Sequence, residues 1–491
     1  MGRMRFIVSP PDRIPEEIAE LAYLAGPDRI PWRTRVRWSS GELALERSVS
    51  EAAVLHIPWE VPGRGMVTLT TGTLSERSQP YHLPLELARG KVGQVRNQLA
   101  EWRTMGMEVC DDLGRKCDEA VRLLGKAAVG ERGSPQSVEI ADHCLRTAVE
   151  AAESLAVAYT EQVLALRHRQ SSRLPTLLGA DLGSSLLDDS MAAKYLQSFN
   201  AAVVPMVWRD IETTEGGYCW EITDRQVQWC RDNRLALCAG PLVQFDARSI
   251  PDWLHLCEGD YENLVSFASE FVEAVVRRYR GKIDVWISAG RMNAADFLSL
   301  TEEEKIKLTA RAVEATRSWD SEAQVLISFD RPWGEYLNRR ECDFPPLHFA
   351  DALLRAGLGL TGLALEINLG YWPEGTLPRD LVDFSQQIDY WSYLDVPLLV
   401  ALTVPSRSDF DPLAQRRATP LAEAWTPAAQ RAWVSRYVPM LLAKGSVQGV
   451  FWSQLRDSEP HAFPHGGLFD LRRHAKPALR QLASIRQAHL R

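Results

Sequence analysis

The chain has 491 residues, of which 45% are hydrophobic and 24% charged, and its formal net charge is -8. This length and composition predict a soluble protein of two or three domains. Because no Lys- or Arg-rich run stands out, the negative balance argues against nucleic acids and anionic membranes as main partners. No stretch approaches the roughly 18 continuous apolar residues that a membrane helix needs.

The amino-terminal residues and the cysteines predict a cytoplasmic protein. The first residues turn polar and Pro-rich by Pro10 without an apolar core, so we expect no secretory signal. The eight cysteines are scattered and lack C-x2-C spacing, which favours reduced thiols. His461, His465 and Asp457 come from one loop with no second cluster, so we expect no metal site. We also expect no cofactor, because the sequence has no Gly-rich phosphate loop.

The first 172 residues predict two small domains. Short apolar runs between Gly, Pro and Ser turns predict a β-rich, sandwich-like domain over residues 1–84. Its Trp32, Trp38 and Trp59 either form a sugar-binding face or belong to the core. Apolar residues at helical spacing predict a hairpin of two long helices over residues 85–172. Such a hairpin must cover its apolar stripe with a neighbouring domain or a second copy of the chain, so a homo-oligomer is one expectation.

From Pro175 onward, short apolar strands alternate with amphipathic helical segments. Eight such units over residues 176–491 predict an α/β fold, a closed (β/α)8 TIM barrel. The predicted strands are Thr176–Leu182, Ala201–Trp208, Leu235–Phe245, Ile283–Ala289, Gln324–Asp330, Thr361–Asn368, Pro397–Pro405 and Gln448–Gln454.

The functional residues of such a barrel lie at the C-terminal ends of its strands. In this chain those positions and the loops after them combine acidic, basic and aromatic side chains. Aromatic rings stack on the C–H faces of sugars, while carboxylates and guanidinium groups bind hydroxyls, so the pattern predicts a carbohydrate ligand. The predicted substrate-binding residues are Trp208, Asp210, Asp246, Arg291, Trp333, Asn368, Tyr371, Trp372, Trp452, Gln454, Arg456 and Asp457.

Several short motifs, in order along this barrel, resemble glycoside hydrolase family 10. Phe199-Asn-Ala is similar to the opening of that family's second strand, and Ile250-Pro-Asp-Trp-Leu to the segment after its third. Tyr279-Arg-Gly-Lys-Ile-Asp-Val-Trp resembles the run into its fourth strand. Gly449-Val-Phe-Trp and Lys476-Pro-Ala resemble its eighth strand and tail. The resemblance implies a xylanase-like barrel that hydrolyses O-glycosidic bonds.

The same resemblance implies that the family's catalytic glutamates are replaced. The family carries its acid/base at the end of the fourth strand and its nucleophile in the seventh, and these positions align with Arg291 and Leu402. Arginine does not donate a proton near neutral pH, and leucine cannot attack carbon. Since retaining hydrolysis needs two carboxyl groups about 5–5.5 Å apart, we expect the inherited mechanism to be absent.

Three functions remain open. The first is a hydrolase with relocated carboxylates, in which Glu366 is the nucleophile or base and Glu335 or Asp330 is the acid. Adjacent strands lie about 4.8 Å apart, which would bring such a pair together. The alternative for Glu366 is a structural ion pair with Arg291 or Arg331. The second function is non-catalytic carbohydrate binding on an old hydrolase barrel, and the third is a scaffold that assembles through the helical hairpin.

Overall fold

The structure is a computed structural model that describes residues 2–131, 133–340, 342, 344–416, 418–421 and 425–491. The chain divides into two compact units. The first unit comprises Met1–Arg167 together with two later stretches, Trp333–Cys342 and Leu377–Asp389. The second comprises His168–Pro332, Asp343–Thr376 and Tyr390–Arg491. The domain boundaries placed at residues 84 and 172 stay predictions.

The first unit contains two small β-sheets. Its strands are β1 Gly2–Ile7, β2 Tyr23–Ala25, β3 Arg35–Ser39, β4 Glu42–Arg47, β5 Val54–Val61, β6 Gly65–Thr70 and β7 Tyr81–His82. One sheet has the order β3-β4-β1-β7 and the other the order β2-β5-β6. Trp59 is fully buried in the core cluster, and Trp32 and Trp38 pack against the same cluster. These tryptophans therefore serve the core.

The described part of the first 170 residues contains four α-helices: α1 Glu16–Ala19, α2 Leu83–Thr104, α3 Asp111–Val129 and α4 Pro135–Gln170. The region predicted as a two-helix hairpin thus contains three long helices. The break follows α2, where Gly106 takes a φ of 96° that glycine adopts without a Cβ clash. Val92, Trp102 and Leu155 of the predicted stripes are at most 2% exposed. The chain itself covers these positions, so they do not need a second copy.

The second unit is built on a closed barrel. Its strands are β8 Leu177–Asp181, β9 Ala201–Val204, β10 Glu212–Thr214, β11 Gly217–Tyr218, β12 Ala236–Ala239, β13 Val285–Gly290, β14 Gln324–Asp330, β15 Gly362–Asn368, β16 Tyr371–Trp372, β17 Leu398–Thr403, β18 Thr419–Pro420 and β19 Val447–Trp452. Eight of them close in the order β12-β13-β14-β15-β17-β19-β8-β9. Every neighbouring pair in this ring is parallel. The predicted (β/α)8 barrel is confirmed.

Helices follow the barrel strands. They are α5 Asp189–Ser198, α6 Trp208–Ile211, α7 Glu221–Asp232, α8 Tyr261–Tyr279, α9 Glu302–Trp319, α10 Pro346–Arg355, α11 Leu381–Ser392, α12 Pro427–Ala443 and α13 Pro477–His489. Among all the helices described, none is long and apolar enough to cross a membrane. Small and apolar side chains such as Ala201, Ala364 and Phe451 fill the barrel interior. Because side chains alternate along a strand, the residue two positions after Ala364, Glu366, faces the same interior.

Candidate active site

An inner cavity of about 100 Å³ lies within the C-terminal half of the barrel. All eight barrel strands, or the residues that directly follow them, contribute to its wall. The lining residues are Asp181, Val203, Cys238, Gly240, Pro241, Gln244, Ile287, Arg291, Ser328, Ala364, Glu366, Leu399, Ala401, Phe451, Trp452 and Ser453. The charged members of this wall are Asp181, Arg291 and Glu366, so its charge is concentrated in three side chains.

Glu366 is held on the cavity wall by two neighbours. Its Oε2 accepts a hydrogen bond from Arg291 Nε at 2.7 Å, and its Oε1 accepts one from the Ser328 hydroxyl at 2.7 Å. The residue is 8% exposed. A carboxylate this buried needs such partners, because an unpaired charge away from water is strongly disfavoured. The structural ion pair expected as the alternative for Glu366 is therefore present, and the carboxylate still borders the cavity.

Arg291 connects the acidic residues of this site. It follows β13 directly and adopts a left-handed φ of 58°, which is uncommon for a residue other than glycine. Burial alone lowers the pKa of Arg291, but the negative charges of Glu366, Asp330 and Asp246 outweigh burial and raise it. The guanidinium is thus a permanent cation in a backbone conformation of the kind that clusters at functional sites.

Asp330 lies directly beside Glu366, since the two residues are Cα partners across β14 and β15. Its Oδ2 lies 3.2 Å from Arg331 Nε and 3.3 Å from Arg416 Nη1. Burial by itself raises the pKa of Asp330, yet the charges of Arg416, Arg331 and Arg291 outweigh it and lower the pKa. A carboxyl in these surroundings is ionised near neutral pH, so they do not favour the role of proton donor predicted from the sequence.

An outer pocket of about 650 Å³ lies at the ends of the first, second and eighth barrel strands. Its volume falls within the range of about 300–1,000 Å³ that is usual for small-molecule sites. It is lined by Asp181, Gly183, Ser184, Pro205, Val207, Asp210, Ile211, Cys219, Glu221, Ile222, Thr223, Gln226, Gln415, Ser453, Gln454, Leu455, Arg456, Glu459, Pro460, His461 and Ala462. Asp181 and Ser453 line both this pocket and the inner cavity.

Asp181 ends the first barrel strand and was missed in the sequence. Its Oδ1 accepts the backbone N–H of Gly183 at 2.7 Å. Burial raises the pKa of Asp181 to about 7; the charge of Glu459 adds to this shift, while the Gly183 N–H opposes it. The signal was the same as for Glu366, namely an acidic residue at the end of an apolar strand, here Leu177-Leu-Gly-Ala-Asp181.

The family model described as glycosyl hydrolase family 10 matches residues 176–287, which span the first part of the barrel. The predicted resemblance to glycosyl hydrolase family 10 is confirmed. No curated protein matches the chain.

Two solved structures illustrate the likeness of the family 10-like barrel. The native xylanase 10B from Thermotoga maritima is 14% identical, with a TM-score of 0.50 over 65% of this chain and 97% of that chain. The xylanase 10B from Thermotoga petrophila RKU-1, solved in complex with xylobiose, is also 14% identical, with a TM-score of 0.49 over 67% of this chain and 96% of that chain. At 14% identity the first of these shows a shared fold and nothing finer.

The assignment of Arg291 and Leu402 to the family's catalytic positions stays a prediction. Arg291 lines the inner cavity, whereas Leu402 is fully buried and its neighbour Ala401 lines the cavity instead. A shift of one residue along β17 would therefore place alanine rather than leucine at the cavity wall. Neither Ala401 nor Leu402 carries a carboxyl group, so β17 supplies no carboxylate nucleophile with either alignment.

Glu335 and Trp333, two residues predicted for the site, belong to the first compact unit. Glu335 is 1% exposed; Arg379 donates to its Oε1 at 2.7 Å, and the backbone N–H of Leu377 donates to its Oε2 at 2.9 Å. Burial raises the pKa of Glu335 even though Arg379 opposes this shift. Trp333 is 6% exposed and packs edge-on against Phe384. Glu335 lines neither cavity and both of its oxygens are occupied, so its acid role stays a prediction that these surroundings do not support.

Most of the predicted stacking aromatics are interior side chains. Trp208, Tyr371 and Trp452 are at most 2% exposed, while Trp372 is half-buried. The polar atoms of the three buried rings donate to protein acceptors at 2.7 to 2.8 Å. Large rings that follow barrel strands fill the space beneath the loops, so their position at a strand end did not imply access to a sugar. Trp452 alone among these three borders the inner cavity.

Residues after the eighth strand hold neighbouring loops together. Arg456 donates to the backbone carbonyls of Leu182 and Ser185, and Asp457 accepts from Lys476 Nζ and from a backbone N–H. Both Arg456 and Asp457 are 3% exposed. Gln454 accepts a backbone N–H at 3.1 Å. Gln454 and Arg456 also line the outer pocket, where they can contact a ligand.

Asp210 and Asp246 differ in their surroundings. Asp210 lines the outer pocket, and burial raises its pKa. Asp246 accepts the backbone N–H of Arg248 at 3.0 Å and closes a turn after the third barrel strand. Burial by itself raises the pKa of Asp246, but the charge of Arg291 and nearby hydrogen bonds lower it overall.

Several buried polar atoms at the strand ends have no hydrogen-bond partner within the described part of the chain. They are Oδ1 of Asp330, both amide atoms of Asn368, Oγ1 of Thr403 and Oγ of Ser453. Asn368 and Thr403 are Cα partners across β15 and β17. Because buried polar groups are nearly always satisfied, such a group indicates bound water or ligand hydroxyls.

His461, on the wall of the outer pocket, is fixed as a cation. Its Nε2 lies 2.9 Å from Asp411 Oδ2, and its Nδ1 lies 2.8 Å from the carbonyl oxygen of Glu459. Both neighbours are acceptors, so both ring nitrogens must carry a proton. Burial lowers the pKa of His461, but the hydrogen bonds to Asp411 and Glu459 outweigh it and raise the pKa. Within the described residues, no group of three or more His, Cys, Asp or Glu could hold a metal ion.

Proposed function

We propose that this protein is carbohydrate-active and that its family 10-like barrel hydrolyses O-glycosidic bonds with carboxylates outside the family's usual positions. The observation that carries the proposal is Glu366, an ion-paired carboxylate on the wall of the inner cavity. A carboxylate in this position, oriented by Arg291 and Ser328, is the kind of group that can serve as a nucleophile or general base. The match to the family model over residues 176–287 supports the reaction class.

The ligand class is supported by the polar groups around this carboxylate. The Ser453 hydroxyl, which has no partner among the described residues, can bond a ligand hydroxyl where Ser453 lines both cavities, and Gln454 and Arg456 line the adjoining pocket. A dense set of neutral donors and acceptors beside a few charges suits a polyol. The buried rings of Trp208 and Tyr371 are not needed for this recognition, which would depend on hydrogen bonds more than on stacking.

The test is turnover by the full chain against a panel of oligosaccharides and aryl glycosides of pentoses, hexoses and uronic acids. Glu366→Gln keeps the shape of the side chain and removes its charge. We expect measurable turnover by the wild-type protein and loss of it in Glu366→Gln, with Glu262→Gln on the exposed surface of α8 as the matched control. Equal turnover in wild type and Glu366→Gln would remove Glu366 from the mechanism.

The second candidate function is carbohydrate binding without turnover. It is favoured by the fact that both oxygens of Glu366 are occupied, by Arg291 and Ser328. The inner cavity, at about 100 Å³, is also smaller than usual ligand sites, and only the outer pocket reaches their range. Saturable binding of an oligosaccharide from the panel without any product would select this function over hydrolysis.

A further inference from the structure

Asp181 occupies the junction between the two cavities. Among the described residues, it shares this place only with Ser453, whose hydroxyl has no hydrogen-bond partner. The two residues lie side by side, because Trp452 and Ala180, which precede them, are Cα partners across β19 and β8. A ligand that extends from the outer pocket into the inner cavity must therefore pass the Asp181 carboxyl group.

We propose that Asp181 is the general acid of this barrel, which protonates the glycosidic oxygen while Glu366 acts as the base. This inference rests on the proposed hydrolytic function. Arg291 lies 2.7 Å from the Glu366 carboxylate, and Arg416 lies 3.3 Å from that of Asp330. By contrast, no cationic nitrogen of the described residues lies within 4.0 Å of the Asp181 carboxyl group.

The surroundings of Asp181 suit a group that must hold a proton and then release it. Its only hydrogen bond in the described structure comes from the Gly183 N–H, which leaves the second oxygen free to carry the proton. Burial and the negative charge of Glu459 raise the pKa of Asp181 to about 7, against the opposing effects of the Gly183 N–H and of the more distant charges of Arg456 and Arg291. A general acid works best when its pKa lies close to the working pH, so this value matches the role.

The proposed step is an inverting reaction, because the two carboxyl groups lie on strands that are not neighbours. In the ring order, β15 with Glu366 and β8 with Asp181 are three strands apart. They are therefore farther apart than the single strand spacing of about 4.8 Å. Inverting glycosidases separate their carboxyl groups by roughly 6.5–9.5 Å, which leaves room for a water molecule between base and sugar.

The step is balanced with water as the only co-reactant. Asp181 transfers its proton to the glycosidic oxygen, the bond between that oxygen and the anomeric carbon breaks, and the leaving group departs as an alcohol. A water oxygen bonds to the anomeric carbon from the opposite face, and Glu366 takes the proton that this water loses. Proton exchange with solvent then restores the protonated Asp181 and the ionised Glu366.

The experiment compares two aryl glycosides of the one sugar that the wild-type protein cleaves best. A 2,4-dinitrophenyl group leaves without protonation, whereas a phenyl group needs an acid. We expect Asp181→Asn to lower kcat/KM on the phenyl glycoside by roughly 100-fold or more, while the rate on the dinitrophenyl glycoside stays close to wild type. Glu366→Gln should reduce both rates. Asp189→Asn, an exposed position in the first turn of α5, is the matched control.

Two further measurements guard against a folding effect. The wild-type rate on the phenyl glycoside should fall as pH rises through about 7, and this fall should disappear in Asp181→Asn. Asp181→Glu, which retains a proton donor, should keep the fall. Equal losses on both glycosides, or no loss on either, would overturn the assignment of Asp181 while leaving the hydrolytic function in place. If the wild-type protein cleaves nothing in the panel, the hydrolytic function and the acid assignment fail together.

Discussion

Asp330 and Glu366 are direct partners on adjacent strands of the barrel, and each carboxylate lies against its own arginine. Arg416 lies 3.3 Å from Asp330, and Arg291 donates to Glu366 at 2.7 Å. Two carboxylates one strand apart would repel each other and push one pKa upward if they stood alone. The arginines offset this repulsion, and the lowered pKa of Asp330 makes that residue unsuited to the role of proton donor.

The ion pair between Arg291 and Glu366 should also stabilise the fold. Glu366→Gln leaves Arg291 without its carboxylate in a site where its side chain is 19% exposed. Because this breaks one partner of a largely buried pair, we expect a loss on the order of 3 kcal/mol in the free energy of unfolding, measured in denaturant. The double variant Arg291→Met, Glu366→Gln should recover part of the loss. A double variant that is less stable than both single ones would contradict this account.

Arg379 should contribute more to stability than any exposed arginine, because it is the centre of a buried network in the first unit. It donates to Glu335 at 2.7 Å, to Asp383 at 2.6 Å and to the Tyr23 hydroxyl at 2.9 Å. Arg379→Met leaves two buried carboxyl groups unpaired, so we expect at least about 3 kcal/mol of lost stability. Arg311→Met is the control, since its exposed pair with Glu314 should contribute at most about 1 kcal/mol. Similar losses in both variants would refute the prediction.

The barrel could be predicted from the sequence because strand and helix patterns are local. The position of Glu366 at the end of an apolar strand also predicted a place at the site, and Glu366 lines the inner cavity. The sequence could not show that Glu335, only five residues after Asp330, belongs to a different compact unit. Its partner Arg379 lies 44 positions further along, and no local pattern joins the two. Burial of Trp208 and Tyr371 likewise depends on loop packing that spacing does not encode.

His461 should make stability depend on pH in the neutral range. Its pKa is raised above the ordinary value, so its contribution is fully present below about pH 6.5 and is lost as pH rises through the higher folded-state pKa. We expect His461→Gln to be less stable than wild type by about 1–3 kcal/mol at pH 6, and the difference to shrink toward pH 9. Urea unfolding at several pH values measures it. The exposed His474→Gln should show no such trend, and a constant difference for His461→Gln would count against an imidazolium.

Asp181 should also make stability fall as pH rises, but here the variant should be more stable than the wild-type protein. Its pKa in the folded protein is about 7, against roughly 4 for an unfolded aspartate, so the folded state holds a proton that the unfolded state has lost between these values. Stability must therefore fall across this window as pH rises.

Asp181→Asn removes that fall. The variant should therefore become more stable than wild type between pH 4 and 7 and keep the same advantage in the free energy of unfolding at higher pH. The carboxyl group still borders two cavities, and water there reduces the penalty of ionisation, so we expect a gain on the order of 1–2 kcal/mol. Unfolding in urea at pH 4, 5.5, 7 and 8.5 measures it, with Asp189→Asn as the control. A difference between variant and wild type that stays the same from pH 4 to 8.5 would mean that Asp181 titrates as an ordinary exposed carboxyl group, and it would then be ionised at the pH where a general acid must hold its proton.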